Sequence, residues 1–259
     1  MRSIVIPFHA LDGGELQLDN HAQLFPLIHS VGADGAEIRK ERMGEAELPL
    51  KATKEDVYSV PAELFDKNGR LNIEIFQLAE EMKLHGAGAL KVSLGHYIPD
   101  VFEIESLIEL MSHFQQSEVL YVENDQTSYG GKITPMEAFF ESVSFADLPI
   151  GMTFDTGNWR YAGEDLLDAA HRLSKYVRYI HLKETVMEGN HLITAPPELH
   201  KESLCSRVLS VLPENCPIGL EFPIRTKAEA VKYVNHFKRS EKDAGYSDVR
   251  RSNGHVHSR

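Results

Sequence analysis

Four residues carry the chemistry this sequence can do: Glu123, Asp155, His181 and Glu221. Three are carboxylates and one is an imidazole. Each stands at or near the end of a short apolar run: VLYVE, IGMTFD, VRYIHL and IGLEF. A buried carboxylate without a partner is costly, and several crowded together resist ionising unless a counter-charge is supplied. A divalent cation supplies it. Mixed oxygen and imidazole ligands suit Mn²⁺, Mg²⁺, Co²⁺ or Zn²⁺, so the set predicts one divalent metal ion without choosing among them. Taken singly, an acid at a strand end is an ordinary loop carboxylate and a lone histidine an ordinary core or surface group. Four of them on four successive runs are harder to dismiss.

Those runs must be brought to one place. Candidate strands lie at 3–8, 35–39, 56–60, 89–94, 119–123, 150–155, 177–182 and 218–222. Helix-like stretches sit at 19–30, 72–85, 102–115, 134–145, 164–174, 198–211 and 226–238, with Asn72 and Thr226 as N-caps and Pro135 in a first turn. Strands alternating with helices predict a parallel sheet, and eight strands are the number that closes a barrel. The expected fold is therefore α/β, a single-domain (β/α)₈ TIM barrel, for which 259 residues is an ordinary length. Residues 42–55, with Gly44 and Pro49, leave room only for a shortened second helix. An open doubly wound sheet is the alternative. The barrel is expected over 1–240. The segment 241–259 is polar and aperiodic, and is expected to be a disordered tail in which His255 and His257 are solvated.

In such a barrel the strands' C-terminal ends build the active site. Alternation then places Tyr121, Thr153, Tyr179 and Gly219 one layer below the four candidate ligands. The same parity gives Glu37 with Arg39 on strand two, Lys91 with Ser93 on strand four, and Lys183 above His181. His9 follows strand one, Arg160 strand six and Arg225 strand eight. Cations at successive strand ends predict an anionic small-molecule substrate. The competing reading makes Glu37, Arg39 and Lys91 an internal ion-pair layer and Lys183 the partner of a rim acid such as Glu184. Trp159 and Tyr161 either wall a sugar ring or cover the rim.

Other classes are disfavoured. A net charge of −12 argues against nucleic acid or an anionic membrane surface as the partner. No apolar run approaches the roughly 20 residues of a membrane span, and the N-terminal run lacks the h-region of a signal peptide. Cys205 and Cys216 are expected to be free thiols, and the protein to be cytoplasmic. Gly86-Ala-Gly88 lies between helix and strand, the reverse of a dinucleotide loop, and neither a Walker A sequence nor a G-x-S-x-G elbow is present.

The runs YVENDQT, MTFDTGN, YIHLKE and GLEFP resemble the metal-binding strands of the xylose isomerase-like superfamily of sugar isomerases and epimerases. The spacings of 32, 26 and 40 residues suit that pattern, and the resemblance covers residues 3–240. Within the superfamily, VENDQT, TFDTGNWR and TAPP are most similar to an epimerase-like protein encoded with bacterial 2-ketogluconate-utilisation genes. The resemblance implies a metal held by Glu123, Asp155, His181 and Glu221, with Glu123 and Glu221 as the acid/base pair and Lys183 donating to a substrate oxygen. It implies isomerisation or epimerisation of a small sugar, sugar acid or sugar phosphate through an enediolate. His9, Glu37, Arg39, Lys91, Asn158, Arg160 and Arg225 are the expected substrate contacts. Many family members carry a histidine where Asn158 stands, and Asn can donate a hydrogen bond but cannot carry a proton at neutral pH. A metal-dependent dehydratase of a hydroxy-ketone and a non-catalytic sugar-binding barrel are the alternatives. The family's nuclease branch needs a multi-zinc cluster with more strand-end histidines than His9 and His181. A homo-oligomer is compatible with all of these.

Overall fold

The structure, a computed structural model, describes residues 2–16, 18, 23–42 and 52–238. In chain order its elements are β1 (Ile4–Pro7), α1 (Leu24–Val31), β2 (Gly35–Arg39), β3 (Val57–Phe65), α2 (Glu74–His85), β4 (Ala89–Gly95), α3 (Ile104–Met111) and β5 (Val119–Glu123). There follow α4 (Ile133–Val143), β6 (Ile150–Asp155), α5 (Asn158–Tyr161), α6 (Leu166–Leu173), β7 (Val177–Leu182), β8 (Glu184–Glu188), β9 (His191–Ala195), α7 (Leu204–Val211), β10 (Ile218–Leu220) and α8 (Lys227–Lys238). Strands β1 to β7 and β10 close a barrel in which every neighbouring pair is parallel. β8 and β9 form an antiparallel hairpin outside it.

Burial on both faces explains the near-continuous apolar strands. One parity of each strand (Ile4, Ile38, Leu90, Val122, Phe154, Ile180, Leu220) joins the main core formed with the helices. The other parity points inward and changes character along the barrel. Val5, Val57, Ala89 and Tyr179 form a separate apolar cluster, with Val119 and Tyr121 packed on it. The next inward positions are Glu37, Lys91, Glu123 and His181. Thus a dry floor lies beneath a charged layer.

Local signals set several boundaries. Thr226 Oγ1 accepts from the Glu229 amide at 3.1 Å while Glu229 Oε2 accepts from the Thr226 amide at 3.2 Å, a capping box that starts α8. Asn72 Oδ1 accepts from the Glu74 amide at the start of α2, and Gly86 closes that helix with φ 79°. Pro135 lies in the first turn of α4, where an amide donor is not needed. β3 runs to Phe65, beyond the expected 56–60, despite Pro61. Its pairing with β2 ends at Ser59, so the missing proline donor breaks no bond there, and the register with β4 shifts between Ser59 and Glu63. Between β2 and β3 the described residues form a 3₁₀ turn, Lys40–Arg42. Of the rest of the expected short helix, 52–55 are loop and turn, while 43–51 and the 241–259 tail lie outside the described residues. No helix among the described residues is long and apolar enough to cross a membrane.

Candidate metal centre

Glu123 and Asp155 are the last residues of β5 and β6, and His181 is the penultimate residue of β7. Glu221 follows β10, held on the barrel by its amide, which donates to the Leu182 carbonyl at 3.0 Å. Asp155 stands in register with His181, and His181 with Gly219. A Cβ at position 219 would lie 2.4 Å from Tyr179 Oη and 3.0 Å from His181 Cδ2, so glycine is what admits both rings. One ligand atom from each of Glu123, Asp155, His181 and Glu221 falls within 4.8 Å of all the others. His181 Nδ1 is 2.8 Å from Glu123 Oε1, 3.2 Å from Glu221 Oε2 and 3.8 Å from Asp155 Oδ2.

Asp155 is aimed by its own loop. Its Oδ1 accepts from the amides of Gly157 (2.8 Å) and Asn158 (2.9 Å), which turns Oδ2 toward the cluster. Asn124 fixes the backbone beneath, accepting from the Asp155 amide at 2.8 Å and donating to its carbonyl at 3.1 Å. The Asn158 side chain is engaged at both ends: it donates to the Asn124 carbonyl at 2.9 Å and accepts from Gln126 at 3.0 Å.

Two lysines face the acids. Lys183 Nζ lies 2.7 Å from both Asp155 Oδ2 and Glu221 Oε2. Lys91 Nζ lies 2.5 Å from Glu123 Oε2 and 3.4 Å from Glu37 Oε1. His9 Nε2 is 3.2 Å from Glu221 Oε1. Glu37 sits on the far side of His181, with Oε2 2.6 Å from Nε2 and accepting from Tyr179 Oη at 3.1 Å.

Burial works against every charge here, and the pairings decide the outcome. It would raise the carboxyls of Glu37, Glu123 and Glu221, but His181 with Lys91 (for the first two) or Lys183 (for the last) holds them below the usual range. Asp155 goes the other way: burial, with Glu221 and Glu123 beside it, outweighs Lys183 and pushes it up to about 8. Burial would lower His181, Lys91 and Lys183, yet the surrounding carboxylates raise all three.

A metal takes its ligands deprotonated; in that state four carboxylates (Glu37, Glu123, Asp155, Glu221) and a neutral His181 face two lysines, and two negative charges remain uncancelled. That is the charge of one divalent ion. Glu123 Oε1, Asp155 Oδ2 and His181 Nδ1 are also buried without a properly directed hydrogen bond. Such atoms are costly unless something satisfies them. The donor set, its spacing and its charge fit a divalent ion.

The remaining expected residues sit further out. Arg39 is half-buried on the rim and pairs with Glu41. Arg160 is exposed and donates to the Thr185 carbonyl on the hairpin, and Arg225 is an exposed residue leading into α8. Lys91 and Lys183 are ion-paired within the layer, Lys183 with Asp155 and Glu221 rather than with Glu184. Trp159 is fully buried against Phe154, so it covers the barrel instead of lining the mouth. Tyr161 Oη donates to the Leu192 carbonyl of the hairpin. Cys205 and Cys216 are free and buried. A cavity of ≈ 480 Å³ between α6, α7 and the hairpin meets the cluster only through Lys183. Sequence reasoning gave no role to Asn124, although it adjoins Glu123 in a run already singled out. It also missed a rim group in which Tyr129 donates to Glu63 at 3.0 Å and His96 stacks on Tyr129 at 3.5 Å.

No family model matches the chain, and no curated protein does. Solved structures do match, among them xylose isomerase-like barrels. The IolI protein with a bound zinc atom superposes with a TM-score of 0.61 at 14% identity, covering 93% of this chain and 97% of that one. An L-ribulose 3-epimerase gives 0.58 at 13% identity, covering 100% of both chains. The probable 3-DHS dehydratase AsbF from Bacillus anthracis, involved in petrobactin synthesis, gives 0.59 at 11% identity, with 92% of this chain and 99% of that one covered. At such identities the likeness is one of fold: this chain shares the (β/α)₈ barrel of these proteins.

Proposed function

We propose that this protein is a divalent-metal-dependent isomerase or epimerase of a small sugar, sugar acid or sugar phosphate. The observation that carries the proposal is the convergence of four ligand residues within 4.8 Å, three of them presenting buried atoms without a hydrogen-bond partner. Glu123, Asp155, His181 and Glu221 would hold the ion, which when bound supplies polarisation of a substrate carbonyl. The zinc atom in the IolI structure and the epimerase on the same barrel support this choice.

The chain's own residues divide the work by access. Asp155 and His181 are fully buried, whereas Glu123 and Glu221 keep 14% and 13% of their side chains exposed. Only the two glutamates among these four open to the mouth, so they are assigned as the proton-transfer pair. One removes the proton from the carbon beside the carbonyl, giving the substrate's enediolate. The other returns a proton to the neighbouring carbon or to the opposite face. Lys91 holds Glu123 by its second oxygen, and His9 holds Glu221 by its own. Lys183, at the edge of the mouth, donates to a substrate oxygen. Arg39, Arg160 and Arg225 on the rim favour an anionic sugar.

NMR of the metal-loaded protein with ketoses, sugar acids and sugar phosphates in D₂O tests this. The expected result is deuterium on the carbon next to the carbonyl of one of them. A product short of one water would make the enzyme a dehydratase. Absence of both exchange and conversion across the panel would overturn the proposal.

A further inference from the structure

Glu37 is almost wholly buried at 1% exposure, yet its place in the barrel is unlike that of the other acids. It comes from β2, on the opposite side of the His181 ring from the cluster. His181 has two ring nitrogens: Nδ1 faces Glu123, Glu221 and Asp155, while Nε2 meets Glu37 at 2.6 Å. The carboxylate that meets Nε2 is itself pinned. Tyr179 Oη donates to the same oxygen at 3.1 Å, and the Lys91 ammonium lies 3.4 Å from the other. Lys91 in turn reaches Glu123 at 2.5 Å, so Glu37 is coupled to two of the four ligands.

A carboxylate is acceptor-only, so the nitrogen it meets must carry the proton. With Nε2–H committed to Glu37, the Nδ1 lone pair is the one left to point into the cluster. We propose that Glu37 is a positioning residue that fixes the tautomer and ring orientation of His181, making Nδ1 the ligand atom, with Tyr179 and Lys91 holding Glu37 in place. This rests on the metal reading of the site and gives Glu37 a role distinct from substrate contact. An imidazole whose far N–H is held by a carboxylate is a stronger and better-oriented ligand, and loss of such a partner weakens metal binding by about 10- to 100-fold.

The test uses Zn²⁺ alone, competed against a chromophoric chelator, together with NMR of ring-¹⁵N-histidine protein. In Zn²⁺-loaded wild type, the His181 Nε2 resonance should be that of a protonated nitrogen and Nδ1 that of a metal-bound one. Glu37→Gln offers a weaker neutral acceptor whose amide can turn and donate instead. It should therefore cost about 10- to 100-fold in Zn²⁺ affinity, measured on variant protein whose circular dichroism shows the barrel folded. Glu37→Asp should restore part of the loss, and it keeps the test alive if the Gln variant does not fold. A proton found on Nδ1 in the loaded protein, or Zn²⁺ affinities of both folded variants within twofold of wild type, would overturn the assignment. If wild type binds no Zn²⁺, the metal reading fails by itself. The hold on the ring is then judged in the metal-free protein, where unchanged His181 ring resonances in Glu37→Gln would reject it.

Discussion

On β4, β5 and β7, inward-facing residues two positions apart (Ala89 and Lys91, Tyr121 and Glu123, Tyr179 and His181) do opposite jobs. Val5, Val57, Ala89 and Tyr179 make a dry floor. One step toward the C-terminal ends, Glu37, Lys91, Glu123 and His181 begin a layer in which nearly every side chain is ionised or paired. The floor closes the barrel by burial, which is non-directional and tolerant of exchange among apolar residues. The layer above depends on named partners, and removing one strands another. Tyr179 belongs to both: its ring joins the floor and its hydroxyl reaches Glu37. The comparison teaches that stability and chemistry are separable here by a single step along the strand.

The sharpest way to break that separation is at the proposed proton-transfer pair, Glu123 and Glu221. Glu123→Gln and Glu221→Gln should each lower kcat by about 10²- to 10⁴-fold, the scale of general acid/base catalysis, while the barrel stays folded. Circular dichroism and steady-state kinetics on the best substrate check this. Near-normal turnover of both variants at saturating metal would place the base elsewhere, on Lys183 or His9.

Metal loading gives the next largest effect. Asp155, pushed up to about 8, and His181, raised above its usual value, both hold protons at neutral pH in the metal-free protein. A metal takes both ligands deprotonated, so loading must release protons and affinity must fall as pH falls. The expected slope below pH 8 is about tenfold per pH unit for each proton displaced. Calorimetry in buffers of different ionisation enthalpy counts those protons, and a pH-independent affinity would contradict the pairing described.

The floor should behave differently. Val5→Ala removes two methyl groups at a site only 2% exposed, and should cost about 2 kcal/mol of stability through lost burial and a residual cavity. Metal affinity should stay within twofold. Loss of metal binding alongside stability would show that the two layers are not separable. The smallest effect lies on the rim: Arg225→Ala should raise KM for an anionic sugar a few-fold and leave its neutral counterpart unchanged, with salt masking the difference.

Much of this arrangement was legible before any coordinates. Short apolar runs ending in Glu, Asp, His and Glu could be read as successive barrel strands because parallel strands buried on both faces are distinctive. Parity then gave the inward face of each. What parity cannot give is the partner across the barrel. Glu37 and Asn158 could be placed at strand ends, but that one backs His181 and the other bonds Asn124 and Gln126 depends on barrel closure. β3 was read short because Pro61 is a breaker only where a ladder donor is needed. The β8–β9 hairpin escaped because its strands are half polar and mostly exposed or half-buried, without the alternation that marks a strand buried on one face.

That hairpin has a mechanical consequence. It is moored to α5 at two points, by Arg160 at the Thr185 carbonyl and by Tyr161 at the Leu192 carbonyl. α5 begins with Asn158, and the amides of Gly157 and Asn158 are the ones that grip Asp155 Oδ1. A pull on the hairpin from outside is therefore carried along one short helix to the grip on a single carboxylate. The hairpin, α5 and the loop that grips Asp155 thus form one continuous run of hydrogen bonds.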